Sequence, residues 1–220
     1  MKLAIEFFNQ SALDLARNLL GKVICHYYQG LWLQAQIIET ESYELEDKAS
    51  HAFLGFTEKR KALYMSPGTI YMYYARGGDS LNISAQGSGS AVLIKSAIVY
   101  IDNDKSSTET DDMLLKMQQL NPLPNNRQRD KPKLLSGQTL LCKSLGLKVK
   151  QWDQKQFNQK LYVKDVGYQP DQIIQTERLG IPPDRDPHLP YRFIDMRYVK
   201  MCTKNPLTMR KILPYNVITA

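Results

Sequence analysis

The sequence predicts one mixed α/β domain, and three observations carry that expectation. Short β-branched and aromatic runs alternate with period two at Val23–Tyr28, Leu31–Ile38 and Thr69–Ala75, and an apolar run spans Ala91–Val99. Helical spacing of apolar residues marks Ala12–Leu20 and Thr108–Leu120. No stretch shifts composition enough to mark a linker, so residues 1–220 are taken as a single domain. A hydrophobic content of 43% supplies its core.

Taken in order, Ser11 caps the first helix, Asp14 lies in its first turn and Gly21 stops it. Val23–Tyr28 and Leu31–Ile38 form a hairpin around Gln29-Gly30. Residues 52–67 are a loop with basic residues Lys59, Arg60 and Lys61. Thr69–Ala75 places Tyr71 and Tyr73 on one face and Ile70, Met72 and Tyr74 on the other. Arg76–Asp79 turns the chain, Leu81–Gln86 returns with Asn82, and Ala91–Val99 is interrupted by Lys95. Pro122 ends the second long helix, and Leu140–Leu145 is a short helix ended by Gly146. Short strands follow near Leu161–Lys164 and Tyr191–Ile194, with a helical or turn segment at Asp171–Leu179.

The stretch Gln34–His51, QAQIIETESYELEDKASH, is the most informative. Leu31, Leu33, Ala35 and Ile37 share a face. If the strand runs on, Glu39, Glu41 and Tyr43 fall on that same face, and burial against apolar neighbours raises a carboxyl pKa. If it ends near Ile38, the glutamates are solvated. Alternation alone leaves both open.

A net charge of +7 and a pI near 9.2 suggest a polyanionic partner, nucleic acid first. Alternating Arg127, Arg129, Lys131 and Lys133 suit a phosphate backbone. No apolar run approaches membrane-spanning length, and no basic amphipathic helix suits a membrane surface. Cys25, Cys142 and Cys202 lie far apart with no metal spacing, and the start MKLAIEFF is not a secretory signal; both point to a reducing cytoplasm and to no metal or other cofactor. A carboxylate, aromatic walls and a basic surface together suit hydrolysis of an N-glycosidic bond. On duplex DNA that requires the nucleotide to be flipped out and the gap to be filled.

The motifs ETESY…ASH, YMSPGTIYMYY…LNIS and AVLIKS, with RLGI and PYRF near residues 178–193, resemble the alkyladenine (3-methyladenine) DNA glycosylase family. The likeness runs from Glu6 to Tyr191. It implies a curved, mainly antiparallel sheet with surrounding helices and a protruding β-hairpin, and a monomeric, metal-free, monofunctional enzyme on double-stranded DNA containing damaged purines. It implies cytoplasmic (nucleoid) action if the source is bacterial and nuclear action if eukaryotic. Residue by residue, Glu41 is the general base, Tyr43 and Tyr73 stack on opposite faces of the flipped purine, His51 meets the same base, and Asn82 gates against the guanine amine. Glu39 is a supporting carboxylate.

The chain departs from that pattern at three places. Lys95 stands where the family has a catalytic-water arginine, keeping the charge without the planar fork. Arg76 stands at the intercalating tyrosine, in a hairpin one residue shorter, which leaves Tyr74 or Arg76 to fill the gap. SGQTLL from Ser136 replaces a helix start rich in Gly, Pro and Lys. A lesion-binding relative with little excision is therefore the alternative to a working glycosylase. An N-ribohydrolase using Glu39 and Glu41, and a lyase using Lys95 as a Schiff-base amine, are further alternatives.

Overall fold

The computed structural model describes residues 1–220 except Arg76, Asn103, Lys105, Lys211, Ile212 and Ala220. It is a mixed α/β structure dominated by an open antiparallel sheet. The strands are β1 (Val23–Tyr28), β2 (Leu31–Tyr43), β3 (Ile70–Ala75), β4 (Gly78–Ser84), β5 (Ala91–Val99), β6 (Leu161–Lys164), β7 (Gln172–Thr176), β8 (Arg192–Asp195) and β9 (Tyr215–Thr219). The helices are α1 (Ala12–Asn18), α2 (Ser107–Leu120), α3 (Gln138–Ser144) and α4 (Val149–Trp152). The expected helical or turn segment at Asp171–Leu179 is instead the strand β7, paired with both β8 and β9. The loop expected over 52–67 contains 3₁₀ turns at Ala52–Leu54 and Glu58–Tyr64.

Local chemistry accounts for the helix starts. Ser11 accepts the Asp14 N–H, and Ser106 forms a reciprocal capping box with Glu109. The β1–β2 turn has positive φ at Gln29 and Gly30, as a type I′ hairpin needs. Gly78, at the start of β4, packs so closely on α3 that a Cβ there would lie 2.1 Å from Thr139 Cγ2. Two further contacts anchor that strand: Asp79 accepts the Val149 N–H, and Gln138 donates to Ser80.

The sheet runs β3-β4-β5-β2-β8-β7-β9, with β1 pairing β2 and β6. β2 is its spine. One edge of β2 pairs with β5 along most of its length; the other pairs with β1 up to Gln36 and with β8 from Glu39. The register slips where the partner changes. Ile38 on β2 and Lys95 on β5 both fall outside the β2–β5 pairing, a pair of offsetting bulges. An extra residue reverses which side chains face which way. Leu33, Ala35 and Ile37 lie in the main core with α1, and beyond the bulge it is Thr40 that faces α1, donating to the Ala16 carbonyl. The strand therefore does run on, but Glu39, Glu41 and Tyr43 do not share the face of Leu33 and Ile37.

Glu39 and Arg192 close the bulged region, and both side chains are fully buried. Arg192 Nε donates to Glu39 Oε1 at 2.8 Å, and the same carboxylate accepts from Ser96 Oγ, Thr203 Oγ1 and the Thr203 N–H. Ser96 Oγ in turn accepts the Gly137 N–H at the start of α3. Removing one member of a buried ion pair commonly costs about 3–5 kcal/mol. Urea unfolding of Glu39→Ala should show a loss of that order, and a loss under ~1 kcal/mol would deny the pair its structural role.

Candidate active site

The bulge decides what Glu41 meets. Its side chain is 1% exposed and lies between two cations on the flanking strands. On β5, Lys95 Nζ is 3.2 Å from Glu41 Oε1. On β8, Arg192 is the direct cross-strand partner of Glu41. On the other oxygen, the Tyr43 hydroxyl donates to Oε2 at 2.7 Å. The Lys95 contact is close but poorly aligned, so Oε1 has no well-directed hydrogen-bond donor.

Burial alone would push the Glu41 carboxyl up. The charges of Lys95 and Arg192, then the Tyr43 hydrogen bond, outweigh it and hold the carboxyl below its usual value. This corrects the expectation of a raised pKa: the carboxylate is buried among countercharges, not among apolar groups. Burial and the neighbouring Glu41 charge together raise Tyr43 well above the ordinary phenol range, which keeps it a donor.

Tyr43 also lines a cavity with about 370 Å³ of empty space, counting its open mouth. His51, Tyr71, Tyr73, Asn82 and Leu63 form much of the rest of its wall. Tyr71 and Tyr73 project together from β3, as alternation predicts, with ring centroids 5.7 Å apart. His51 stands nearly edge-on to Tyr73 at 4.5 Å, and its Nδ1 is 2.7 Å from the Tyr71 hydroxyl. Burial, then Arg60 and Arg185, lower the His51 pKa and favour the neutral ring. Asn82 is fixed by donating to the Tyr71 carbonyl at 3.2 Å.

Arg178 supports the wall from behind. Its guanidinium lies 4.5 Å from the Tyr43 ring centroid, donates to the Ser42 carbonyl, and forms a buried pair with Asp47. That pair pins the loop carrying Ala49, Ser50 and His51 to the end of β2.

The structure thus brings Tyr43, His51, Tyr73 and Asn82 into one cavity and pairs Glu41 with Lys95 beside it, with Tyr43 reaching both. Glu39 is bound into the Arg192 network and does not line the cavity. Tyr74 is 68% exposed on the opposite face of β3. Arg76 lies outside the described residues. The sequence offers Tyr71, with Tyr73, as a stacking wall or as cross-strand packing, and gives no role to Arg178 or Arg192. The last two belong to the RLGI and PYRF motifs, whose buried arginines were the available signal. The three cysteines are buried and form no disulfide. Among the described residues, no cluster of His, Cys, Asp or Glu could hold a metal ion, and no helix is long and apolar enough to cross a membrane.

This geometry, a shielded carboxylate beside an aromatic recess on an antiparallel sheet, suits hydrolysis next to a planar base. The model of the methylpurine-DNA glycosylase family matches residues 6–198. A relative from Pseudomonas syringae pv. syringae is 58% identical over 203 residues, spanning 92% of this chain and 89% of its own. One from Pseudomonas aeruginosa strain LESB58 is 57% identical over 202 residues, 91% and 83% of the two chains. A more distant one from Clostridium botulinum is 34% identical over 192 residues, 82% and 88%. All three are provisionally named 3-methyladenine DNA glycosylase. The chain belongs to the methylpurine-DNA glycosylase family and is a DNA glycosylase.

A carboxyl held low in the fold contributes stability that is full above its unfolded pKa, near 4.3, and is lost as pH falls through the lower folded value. The unfolding free-energy difference between wild type and Glu41→Gln should therefore be flat above about pH 5 and shift against the wild type on further acidification. A shift in favour of the wild type would mean that burial, not the cations, dominates at Glu41.

Proposed function

We propose that the protein flips a damaged purine out of duplex DNA into the Tyr43–His51–Tyr73 cavity and hydrolyses its N-glycosidic bond with a water activated by Glu41. The observation that carries this reading is the Glu41 carboxylate, ionised by its surroundings, hydrogen-bonded on Oε2 and short of a directed donor on Oε1. An oxygen in that state accepts a proton from water.

In this scheme the water oxygen bonds to deoxyribose C1′ as the C1′–purine bond breaks. The water's proton passes to Glu41, and the bonding electrons leave with the base. Tyr43 and Tyr73 hold the two faces of the base, His51 meets it from the loop, and Asn82, fixed on Tyr71, disfavours a guanine amine. Lys95 helps to position the water and offsets charge at Glu41. That use of its charge supports the monofunctional reading over a Schiff-base lyase. Tyr74, with Arg76, fills the gap in the helix. One copy of the chain carries every group that this scheme needs, so it acts as a monomer, with residues 1–220 as one glycosylase domain. The relatives described above are bacterial, which supports action on nucleoid DNA.

The test uses duplexes carrying hypoxanthine, 1,N6-ethenoadenine or 3-methyladenine, with abasic sites as the readout. Glu41→Gln should lose roughly 10²–10⁴ in single-turnover rate. Undiminished excision by that variant would remove Glu41 from the mechanism. Tight binding by wild type with no release at enzyme excess would instead make the protein a lesion binder, the alternative that the missing fork at Lys95 motivates.

Leaving-group charge makes a second distinction. A 3-methyladenine lesion leaves from a cationic nucleoside and needs no acid, so its rate should stay level until Glu41 protonates. Neutral hypoxanthine and ethenoadenine gain from protonation, so their rates should rise as pH falls from 8 toward that limb, about tenfold per unit at the steepest. Superimposable pH profiles for the two classes would contradict this.

A further inference from the structure

Arg192 has a role in reserve. Its guanidinium is fully buried, and two of its three nitrogens are committed. Nε donates to Glu39; Nη2 lies 2.7 Å from Glu39 Oε1 and donates to Thr203 Oγ1 and the Lys204 carbonyl. Nη1 is buried with no hydrogen-bond partner. A buried guanidinium N–H without an acceptor is costly, so the position demands an explanation. Side-on use of Nε and Nη2 toward Glu39 leaves Nη1 at the far corner of the planar group. Glu41 stands directly opposite Arg192 in the β2–β8 register, so the two side chains share a face. Its Oε1, ion-paired with Lys95, is another buried polar atom of this region that lacks a well-directed hydrogen bond, as is Arg178 Nε behind Tyr43.

We propose that Arg192 is a positioning residue for the hydrolytic step, its Nη1 donating to a water that is also held by Glu41. This deepens the function proposed above and rests on Glu41 being the base. Arg192 would then supply, from β8, the directional donor that Lys95 lacks on β5: a lysine ammonium is a point charge, whereas a guanidinium whose other edge is clamped has one fixed direction left. It also ties Glu39, although outside the cavity, to the hydrolytic step, because Glu39 sets the plane of that guanidinium. The groups facing Glu41 are Lys95 from β5, Arg192 from β8, Tyr43 from β2 and Arg178 behind Tyr43. Of these, Lys95 and Arg192 lower its carboxyl by their charge.

The experiment is single-turnover excision of 3-methyladenine from duplex DNA between pH 4 and 8, corrected for spontaneous release, with Arg192→Gln, Arg192→Lys, Glu39→Gln and Glu41→Gln. Arg192→Gln should slow the maximal rate ~10–100-fold, leave the half-saturating enzyme concentration unchanged and move the acid limb upward. Arg192→Lys, which keeps the charge on Glu39, should slow the rate similarly and carries the test by rate if Arg192→Gln does not fold. Glu39→Gln disturbs the same network from the other side and should lower stability without raising the acid limb. Equal rate losses in the Glu39 and Arg192 variants with an unmoved limb, or Arg192 variants as fast as wild type, would overturn the inference. Full activity in Glu41→Gln is a separate result that would overturn the assigned base.

Discussion

The buried Glu39–Arg192 pair is the constraint on which the rest of the structure depends. Two residues 153 positions apart meet where β2 exchanges one neighbour for another. β2 and β8 supply the pair itself, β5 supplies Ser96, the C-terminal segment supplies Thr203 and Lys204, and α3 is tied in through Gly137. Each partner satisfies a hydrogen-bonding group that would otherwise be costly in a dry interior. The same place carries the two bulges. They let β2 keep β5 beside it while reversing its inward and outward faces, and that reversal turns Glu41 and Tyr43 away from the main core.

The chemistry follows from that reversal. A carboxylate inside a sheet is ordinarily too costly to keep charged. Here a cation stands on each neighbouring strand, Lys95 on β5 and Arg192 on β8, and a phenol too weakly acidic to ionise donates from Tyr43. The charge sits beside an aromatic recess, so a neutral planar ring and a charged proton acceptor are neighbours without competing for the same space. Tyr43 joins the two, and Arg178 with Asp47 holds it and the His51 loop in register.

Much of this is legible in the sequence, for local reasons. Ser11 announces its helix through capping chemistry, and Gln29-Gly30 its hairpin. Period two places Tyr71 and Tyr73 on one face. Other features are hidden because their causes are distant. Alternation cannot say whether β2 continues past Ile38, since a bulge breaks the period and is specified by the neighbouring strands. It also puts the glutamates on the wrong face for that reason. The direction of the Glu41 pKa depends on Lys95 and Arg192, which are remote in the chain. β7 reads as a helix or turn because QIIQT is short and takes its pairing from both sides, and β9 escapes notice because it is a largely exposed outer strand with little apolar pattern. The resemblance to a glycosylase family ranks Glu41 above Glu39. It attaches no role to Arg178 and Arg192, the two buried cations within its own C-terminal motifs.

The most direct test is a crystal structure of Glu41→Gln bound to a duplex containing 1,N6-ethenoadenine. The account predicts an extrahelical base held between Tyr43 and Tyr73 against His51, with its C1′ facing the substituted side chain at position 41. A lesion left stacked in the helix, or flipped against another surface with this cavity empty, would contradict it.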